Sequence, residues 1–351
     1  MKKKKFLIVI PLTIFLIAFA TAGYYLFPLA ALYTTGKQKI KIKTDTAYYV
    51  PTGTTLERLS TDLIAKGVIR KKKPFEKYAL RRNLKDATIE PGKYELSAGM
   101  TIEELVTGFR KGYAEKEVRI TFNNARTAEE LAGKISDNLE MGDSLLLNKL
   151  NDPRVAEKYG FEIAAFNVMF IPDTYNVYWD ITPDELLDRM AKEYRKFWNE
   201  ERLAKAKAMN LSPVEVSVLA SIVTCETVKM EEAPIIAGVY VNRLKKGMPL
   251  EADPTLVWIL GDFTIKRVLN KDKELDSPYN TYKYAGLPPG PIYIPSAGFI
   301  DAVLNYKKHE YIFFCAKEDF SGYSNFAKTY KQHLVNARKY QNALNQRKVY
   351  R

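Results

Sequence analysis

A carboxylic acid on the apolar face of a predicted helix is the most chemically suggestive feature of this sequence. Ser212, Pro213 and Glu215 form a strong helix start, with an N-cap serine, a proline in the first turn and a capping-box glutamate. The apolar stripe that follows, continued from Leu219 in steps of three and four residues, next reaches Glu226. Because burial disfavours the charged form of a carboxyl group, we expect the pKa of Glu226 to be raised. Such a group suits general acid catalysis near neutral pH.

The alternative is that Glu226 is a structural core residue paired with an arginine, for which Arg243 is the candidate. A second helix is predicted to begin near Glu232 and to stop at Gly247, and it places Asn242 and Arg243 near its end. On the helix pattern alone, both interpretations of Glu226 remain open.

Three loop motifs follow the second helix, at residues 248–255, 279–282 and 286–291. Aromatic rings can cover the apolar faces of sugars, and amides pair with hydroxyl and N-acetyl groups. Proline-rich loops hold such groups with little loss of chain entropy. Each loop alone is also consistent with a plain turn, and only the combination is specific. The candidate substrate-binding residues are Asn242, Arg243, Asp253, Thr255, Tyr279, Asn280, Thr281, Tyr282, Pro289 and Gly290.

The combination of motifs resembles the endolytic murein transglycosylase family, also known as YceG-like. The resemblance extends over almost the whole chain and rests on residues 170–175, 220–227 and 238–250 together with the three loops. It implies a lyase that cleaves the bond between N-acetylmuramic acid and N-acetylglucosamine within peptidoglycan strands, and that terminates or trims nascent strands. Glu226 would act as acid and then as base, and the substrate's own C6 hydroxyl would attack C1 to leave a 1,6-anhydro end. We predict no cofactor, and the lack of a CxxC motif or a Cys/His cluster predicts no metal site.

Two other functions stay open at this stage. A hydrolase needs a second carboxylate, for which Asp253 is the nearest motif residue. A non-catalytic scaffold would bind peptidoglycan without depending on Glu226.

Three positions depart from the family pattern. Thr224 stands where many members have a second glutamate, so Glu226 alone can hold the catalytic role. Residues 167–169 replace a Glu-Gly pair, and Ser324 replaces a histidine in a late motif, which leaves a binding role for position 324 open.

The elements that must position this site follow a predicted membrane anchor. Residues 2–5 are lysines, and the apolar run at residues 6–27 would span about 33 Å as a helix, close to the thickness of a hydrocarbon core. Charge before the span and none just after it favours a cytoplasmic N-terminus. We therefore predict a single-pass protein of the cytoplasmic membrane with its catalytic domain outside the cytoplasm. A cleaved signal peptide is the alternative, because small residues near position 20 offer cleavage patterns.

The sequence divides into an anchor at residues 1–36, a linker at 37–45, a small α+β module at 46–115 and a mostly helical α+β catalytic domain at 116–351. In the module, a strand, a helix, a second strand at residues 92–96 and a second helix are predicted to follow one another.

The module resembles a LysM-like glycan-binding domain. The resemblance rests on Val50-Pro51-x-Gly53, Gly92-x-Tyr94 and the Gly-Met-Thr segment at residues 99–101. The alternative is a spacer that only orients the next domain.

The formal net charge of +13 admits either a nucleic-acid binder or a basic surface near an anionic envelope. The basic residues are spread along the chain and form no finger, zipper or ribonucleoprotein pattern. Cys225 and Cys315 form no metal-binding pattern, and their apolar neighbours predict buried free thiols. The predicted partners are peptidoglycan strands and the cytoplasmic membrane, with the cell-wall synthesis machinery as a further candidate and no nucleic acid.

Overall fold

The computed structural model describes residues 3–112, 117–265 and 267–347. The chain divides into two compact units, Met1–Val118 with Tyr178–Asp180, and Arg119–Val177 with Ile181–Arg351. Helices and two-stranded sheets build the fold, which confirms the predicted α+β class.

The first unit begins with a long helix whose part Ile14–Gly36 is apolar and long enough to cross a membrane. A two-stranded antiparallel sheet follows, in which Thr46 pairs with Leu96. Helices cover the sheet and enclose a core that includes the fully buried Phe75 and Phe109. The elements of this unit are α1 (Lys3–Gly36), β1 (Thr46–Val50), α2 (Leu56–Ala65), α3 (Lys72–Arg81), β2 (Gly92–Leu96) and α4 (Ile102–Lys111).

Local sequence signals account for most of these boundaries. The predicted capping box at the start of α4 is present, since Thr101 and Glu104 each accept a hydrogen bond from the other's backbone N–H. The helix α3 was not predicted. Its buried residues, Phe75, Tyr78 and Ala79, are few and stand among lysines and arginines, so the apolar period is weak.

The segment at residues 37–45, predicted as a linker, is hydrogen-bonded to the rest of the first unit. Ile40 is buried, and its N–H donates to the Met100 carbonyl at 2.8 Å. The Lys41 N–H donates to the Val68 carbonyl at 2.9 Å. These bonds hold the chain against the module as it leaves α1.

The remaining elements are mostly helical. A second pair of strands, β3 (Glu117–Phe122) and β4 (Asp173–Tyr178), precedes the central helices. A hairpin of β5 (Phe313–Ala316) and β6 (Ser324–Ala327) pairs Phe313 with Ala327 near the end. In chain order the elements are β3 (Glu117–Phe122), α5 (Ala128–Ser136), α6 (Asp143–Leu150), α7 (Pro153–Lys158), β4 (Asp173–Tyr178), α8 (Pro183–Phe197), α9 (Glu200–Ala208), α10 (Pro213–Glu226), α11 (Ala233–Lys245), α12 (Asp253–Leu260), α13 (Ala297–Leu304), β5 (Phe313–Ala316), β6 (Ser324–Ala327) and α14 (Tyr330–Gln346).

The helix α10 lies at the centre of the second unit. Every residue from Val216 to Val223 is buried, so the helix is enclosed on all sides rather than on one stripe. It packs against α11, α12 and α13. Its predicted capping box, formed by Ser212 and Glu215, is present. The most buried helix of the unit therefore ends at Glu226.

Close packing of α11 depends on Gly238. A Cβ atom at this position would lie 2.4 Å from the Lys307 carbonyl oxygen, which is backbone and cannot rotate away. By contrast, a Cβ atom at Gly133, inside α5, would meet nothing within 4 Å.

We predict opposite effects of the same substitution at these two helical glycines. Gly133→Ala should raise the free energy of unfolding by about 0.5–1 kcal/mol, because alanine favours helix. Gly238→Ala should lower it by about 1–3 kcal/mol, because the backbone must move to admit the methyl group. Urea unfolding measures both values. Stabilisation by both substitutions would contradict the close approach of α11 to the segment at Lys307.

Candidate active site

The last turn of α10 leaves the core and reaches solvent. The Thr224 hydroxyl donates to the Ala220 carbonyl at 2.7 Å, so this polar side chain is hydrogen-bonded within its own helix. Glu226, the final residue of the helix, is partly accessible. Cys225 is exposed and Cys315 is half-buried, and both are free, so the predicted free thiols are confirmed and the predicted full burial is wrong. Cys225 is exposed because it lies in the last turn of α10, where the helix leaves the core.

Glu226 is held by a buried tyrosine of the neighbouring helix. The hydroxyl of Tyr240, on α11, donates to Glu226 Oε1 at 2.7 Å, and Tyr240 itself is 1% exposed. Burial raises the pKa of Glu226 to about 7, while the bond from Tyr240 opposes the rise and the charge of Asp253 adds to it. At neutral pH the carboxyl group is thus present in both protonation states.

Asp253 and Tyr282 complete this arrangement. Asp253 is the exposed first residue of α12, and the Tyr282 hydroxyl donates to its Oδ1 at 2.5 Å. Burial, Asp253 and Glu226 together raise the pKa of Tyr282. We call Glu226, Tyr240, Asp253 and Tyr282 the Glu226 cluster, because their charges and hydrogen bonds act on one another.

The structure does not pair Glu226 with Arg243, which was the structural alternative. Arg243 is 5% exposed and donates to the carbonyls of Pro249, Leu250 and Ile312 at 2.7–3.1 Å and to the Glu251 carboxylate at 2.8 Å. Its guanidinium therefore joins the loop at residues 249–251 to the segment at Ile312.

Asn242 has a similar task. Its side-chain amide donates to the carbonyls of His309 and Tyr311, at 2.8 and 2.9 Å. It ties the end of α11 to the segment that leads into β5.

Three more of the predicted binding residues are buried in the loop framework. Thr255 and Thr281 join their hydroxyls at 3.0 Å, and Thr281 also accepts from the Ala252 N–H. Asn280 is fully buried, donates to the carbonyls of Lys273 and Leu275 and accepts from the Tyr282 N–H. These bonds fix the direction in which Tyr282 leaves its loop.

The proline-rich loop lies against the core of the second unit. The Ile292 N–H donates to the buried Ser221 hydroxyl of α10 at 3.1 Å. A Cβ atom at Gly290 would lie 1.8 Å from the Ala164 carbonyl oxygen, so only glycine fits there. Pro289 is exposed beside it, and Tyr279 stacks on Trp258 with ring centroids 4.2 Å apart.

Sequence reasoning missed Tyr240 and Arg126. Tyr240 carries a hydroxyl on a helix that is apolar around it, a signal available from the sequence. Arg126 is exposed, and its guanidinium lies 4.6 Å from the ring centroid of Phe263 and 5.5 Å from that of Tyr293. Desolvation raises the pKa of the Cys225 thiol, and the charge of Arg126 opposes that rise.

Comparison with known proteins identifies the chain. The model of the YceG-like family matches residues 48–339. The chain belongs to the YceG-like family. A curated relative from Bacillus subtilis, an endolytic murein transglycosylase, is 29% identical over 322 residues, which cover 87% of each chain. A relative of the same name from Streptococcus pneumoniae D39 is 26% identical over 76% of this chain, which spans 53% of that longer protein.

A solved structure agrees with this assignment. A YceG-like protein from Listeria monocytogenes superposes with a TM-score of 0.55 and 26% identity, covering 84% of this chain and 99% of that one. In this YceG-like chain, the described residues contain no group of three or more histidine, cysteine or acidic side chains arranged to hold a metal.

We predict that Arg243 acts on loop structure through backbone carbonyls. Arg243→Met should lower the free energy of unfolding by about 3 kcal/mol or more, because several buried carbonyls lose their donor. Glu251→Gln should change it by less than about 1 kcal/mol, because the Glu251 end of the ion pair is exposed. Urea unfolding of the two variants tests this. Equal losses would mean that the ion pair with Glu251, rather than the carbonyl bonds, is what matters.

Proposed function

We propose that this YceG-like protein is an endolytic lytic transglycosylase of peptidoglycan, with Glu226 as its acid and base. The observation that carries the proposal is one carboxyl group, at the accessible end of a buried helix, with a pKa raised to about 7. The names of the curated relatives support the same reaction class.

In the proposed reaction, every bond broken or formed and every proton transferred is accounted for. Protonated Glu226 donates to the glycosidic oxygen as the bond from C1 of N-acetylmuramic acid breaks. The resulting carboxylate takes the proton of the C6 hydroxyl, whose oxygen forms the new bond to C1. The products are a 1,6-anhydro end and a free 4-hydroxyl on N-acetylglucosamine, and Glu226 returns to its protonated form. A group that serves as acid and then as base works best with a pKa near the working pH.

Tyr240 is proposed as a positioning residue. Its hydroxyl engages Oε1 of Glu226, and within the described residues Oε2 has no hydrogen-bond partner. One oxygen is thereby fixed by the protein, and the other is left for the substrate. The fixed hydrogen bond also removes rotational freedom from the carboxyl group before substrate arrives.

Asp253 favours the protonated form of Glu226 through its negative charge. It is also the carboxylate that hydrolysis would require, so a muramidase is the second candidate function. For substrate binding we propose Asp253, Tyr279, Tyr282 and Pro289, which are exposed or half-buried. Asn242 is half-buried as well, but its side-chain amide already donates to two backbone carbonyls. Asn242, Arg243, Thr255, Asn280, Thr281 and Gly290 would act by holding these groups in place.

We further propose that α1 crosses the cytoplasmic membrane with its N-terminus inside. A reporter active only outside the cytoplasm and fused after Arg351 should then work, and a mature protein that begins near Gly23 would favour a cleaved signal peptide instead. This placement brings the site close to nascent strands and to the cell-wall synthesis machinery, the partner class that in-cell crosslinking would test.

Glycan binding is proposed for the module at residues 46–115. Support comes from the LysM-like sequence segments alone. If the module is only a spacer, its removal should leave retention on purified peptidoglycan unchanged.

We predict that Glu226→Gln abolishes formation of anhydro ends. The rate should fall by about 10² to 10⁴ or more, the usual scale for a general acid–base group. Mass spectrometry of digested strands gives the product, and Glu157→Gln, an exposed site on α7, is the matched control. Anhydro ends in the wild type identify a transglycosylase, reducing ends a hydrolase, and uncut strands a scaffold.

The same variant has a pH-dependent effect on stability. In the folded protein the pKa of Glu226 is about 7, above its ordinary value near 4.5. The stability contributed by the protonated group is therefore present below pH 4.5 and is lost as the pH rises through 7. The Tm of Glu226→Gln relative to wild type should rise between pH 5 and pH 8. A fall over that range would contradict a raised pKa.

We predict that Tyr240→Phe moves the alkaline limb of the kcat/KM profile to higher pH. The hydroxyl stabilises the ionised carboxylate, so its loss should raise the pKa of Glu226, by roughly one unit for a charge-assisted bond. The control is Tyr194→Phe, since burial alone raises the pKa of that tyrosine. An unchanged limb would show that Tyr240 does not govern the ionisation of Glu226.

A further inference from the structure

One face of α3 presents basic side chains to solvent. Lys73, Lys77 and Arg81 follow one another at helical spacing and are exposed, and Leu80 lies among them with 53% exposure. The opposite face of the helix is buried in the core of the first unit. We call these four residues the basic face of α3.

The basic face lies beside α1. Lys73, Pro74 and Lys77 line one groove together with four residues of α1, which are Pro28, Ala31, Leu32 and Thr35. The contact is close at the next residue along α1, because a Cβ atom at Gly36 would lie 2.6 Å from the Tyr78 hydroxyl of α3. Both helices belong to the first unit, so their packing is part of one compact body.

The length of α1 sets the height of this groove in a bilayer. The lysines at positions 2–5 fix the start of the span at the inner headgroups, and residues 6–27 after them are uncharged and cover about 33 Å as a helix, enough for a hydrocarbon core of about 30 Å. The next eight residues, which line the groove, add about 12 Å. The headgroup layer is about 5–8 Å thick on each side, so the groove and the lysines beside it lie at headgroup level.

The charges of the basic face are not neutralised by the protein. Lys72, on the other side of α3, pairs with Glu57 and Glu76. In the part of the chain that the structure describes, no ion pair is formed by Lys73, Lys77 or Arg81. An exposed leucine between unpaired cations is typical of a surface that faces an interface, with apolar and charged groups side by side.

We propose that the basic face of α3 binds the headgroups of anionic phospholipids in the leaflet from which α1 emerges. This inference depends on the proposed insertion of α1 in the membrane and does not depend on the reaction at Glu226. Each basic residue near an anionic bilayer strengthens binding by about fivefold. Lys73, Lys77 and Arg81 together hold the first unit flat against the membrane surface, with Leu80 in the interface.

The test uses the full chain in lipid nanodiscs. Leu80→Cys is introduced, and its reaction with an uncharged polyethylene-glycol maleimide is followed by peptide-resolved mass spectrometry, relative to the rate in neutral detergent. Discs of phosphatidylcholine alone are compared with discs that also contain phosphatidylglycerol. Two triple variants, each made in this background, remove three positive charges. The first replaces the basic face of α3 by Lys73→Gln, Lys77→Gln and Arg81→Gln. The second is the matched control on the exposed surface of α8, with Lys192→Gln, Arg195→Gln and Lys196→Gln.

We expect labelling at position 80 to slow by on the order of tenfold in anionic discs, and molar salt to reverse the effect by screening. The substitutions on α3 should abolish this protection, and those on α8 should leave it intact. Equal labelling in the two kinds of disc would overturn the proposal, as would protection that survives the α3 substitutions or that inorganic phosphate alone reproduces. Release of the protein by an alkaline wash would instead refute the anchor, and with it the bilayer contact.

Discussion

The structure depends on keeping one carboxyl group both desolvated and reachable. A carboxylate deep in a protein interior is costly unless it is protonated or paired, and a fully exposed one ionises well below neutral pH. Glu226 lies between these limits because α10 is enclosed along its length and opens only in its last turn. The neighbouring helix supplies one hydroxyl from Tyr240, which restrains the group without fixing its charge. Much of the second unit holds α10 and Tyr240 in the positions that keep Glu226 both desolvated and reachable.

Much of that support consists of polar side chains that bind backbone. Asn280 and Thr281 lie in a tyrosine-rich loop and look like sugar ligands in the sequence, yet both are buried and bonded to the loops themselves. These hydrogen bonds stiffen the loops, because any movement that broke one would leave a buried amide or hydroxyl unpaired, which is costly. The groups left at the surface, Tyr279, Tyr282 and Asp253, are thereby held in defined directions.

Local signals in the sequence were sufficient for the helix starts and drew attention to Glu226 as a candidate. Capping boxes such as Ser212 with Glu215 involve neighbours in the chain. The predicted apolar stripe leads to Glu226, but the structure encloses α10 on all sides, so the environment of Glu226 comes from its position in the last turn rather than from helical period. The partner of Glu226 could not be derived in this way, because it depends on how α11 packs on α10. Nor could the role of Arg243, since a sequence does not say whether a guanidinium faces solvent, an acid or a row of carbonyls. The missed helix α3 has another cause, because its apolar residues are too few to stand out among its charges.

The bonds made by Arg243 have a consequence for how such a chain can diverge. Three of its acceptors are main-chain carbonyls, at Pro249, Leu250 and Ile312, and every amino acid carries that group. Side chains at these three positions can therefore be exchanged over evolutionary time without loss of the contact. For these hydrogen bonds, chemical identity is required of the donor alone, so one arginine can keep the course of both loops while the acceptor side chains change within the limits set by packing, as at the buried Leu250.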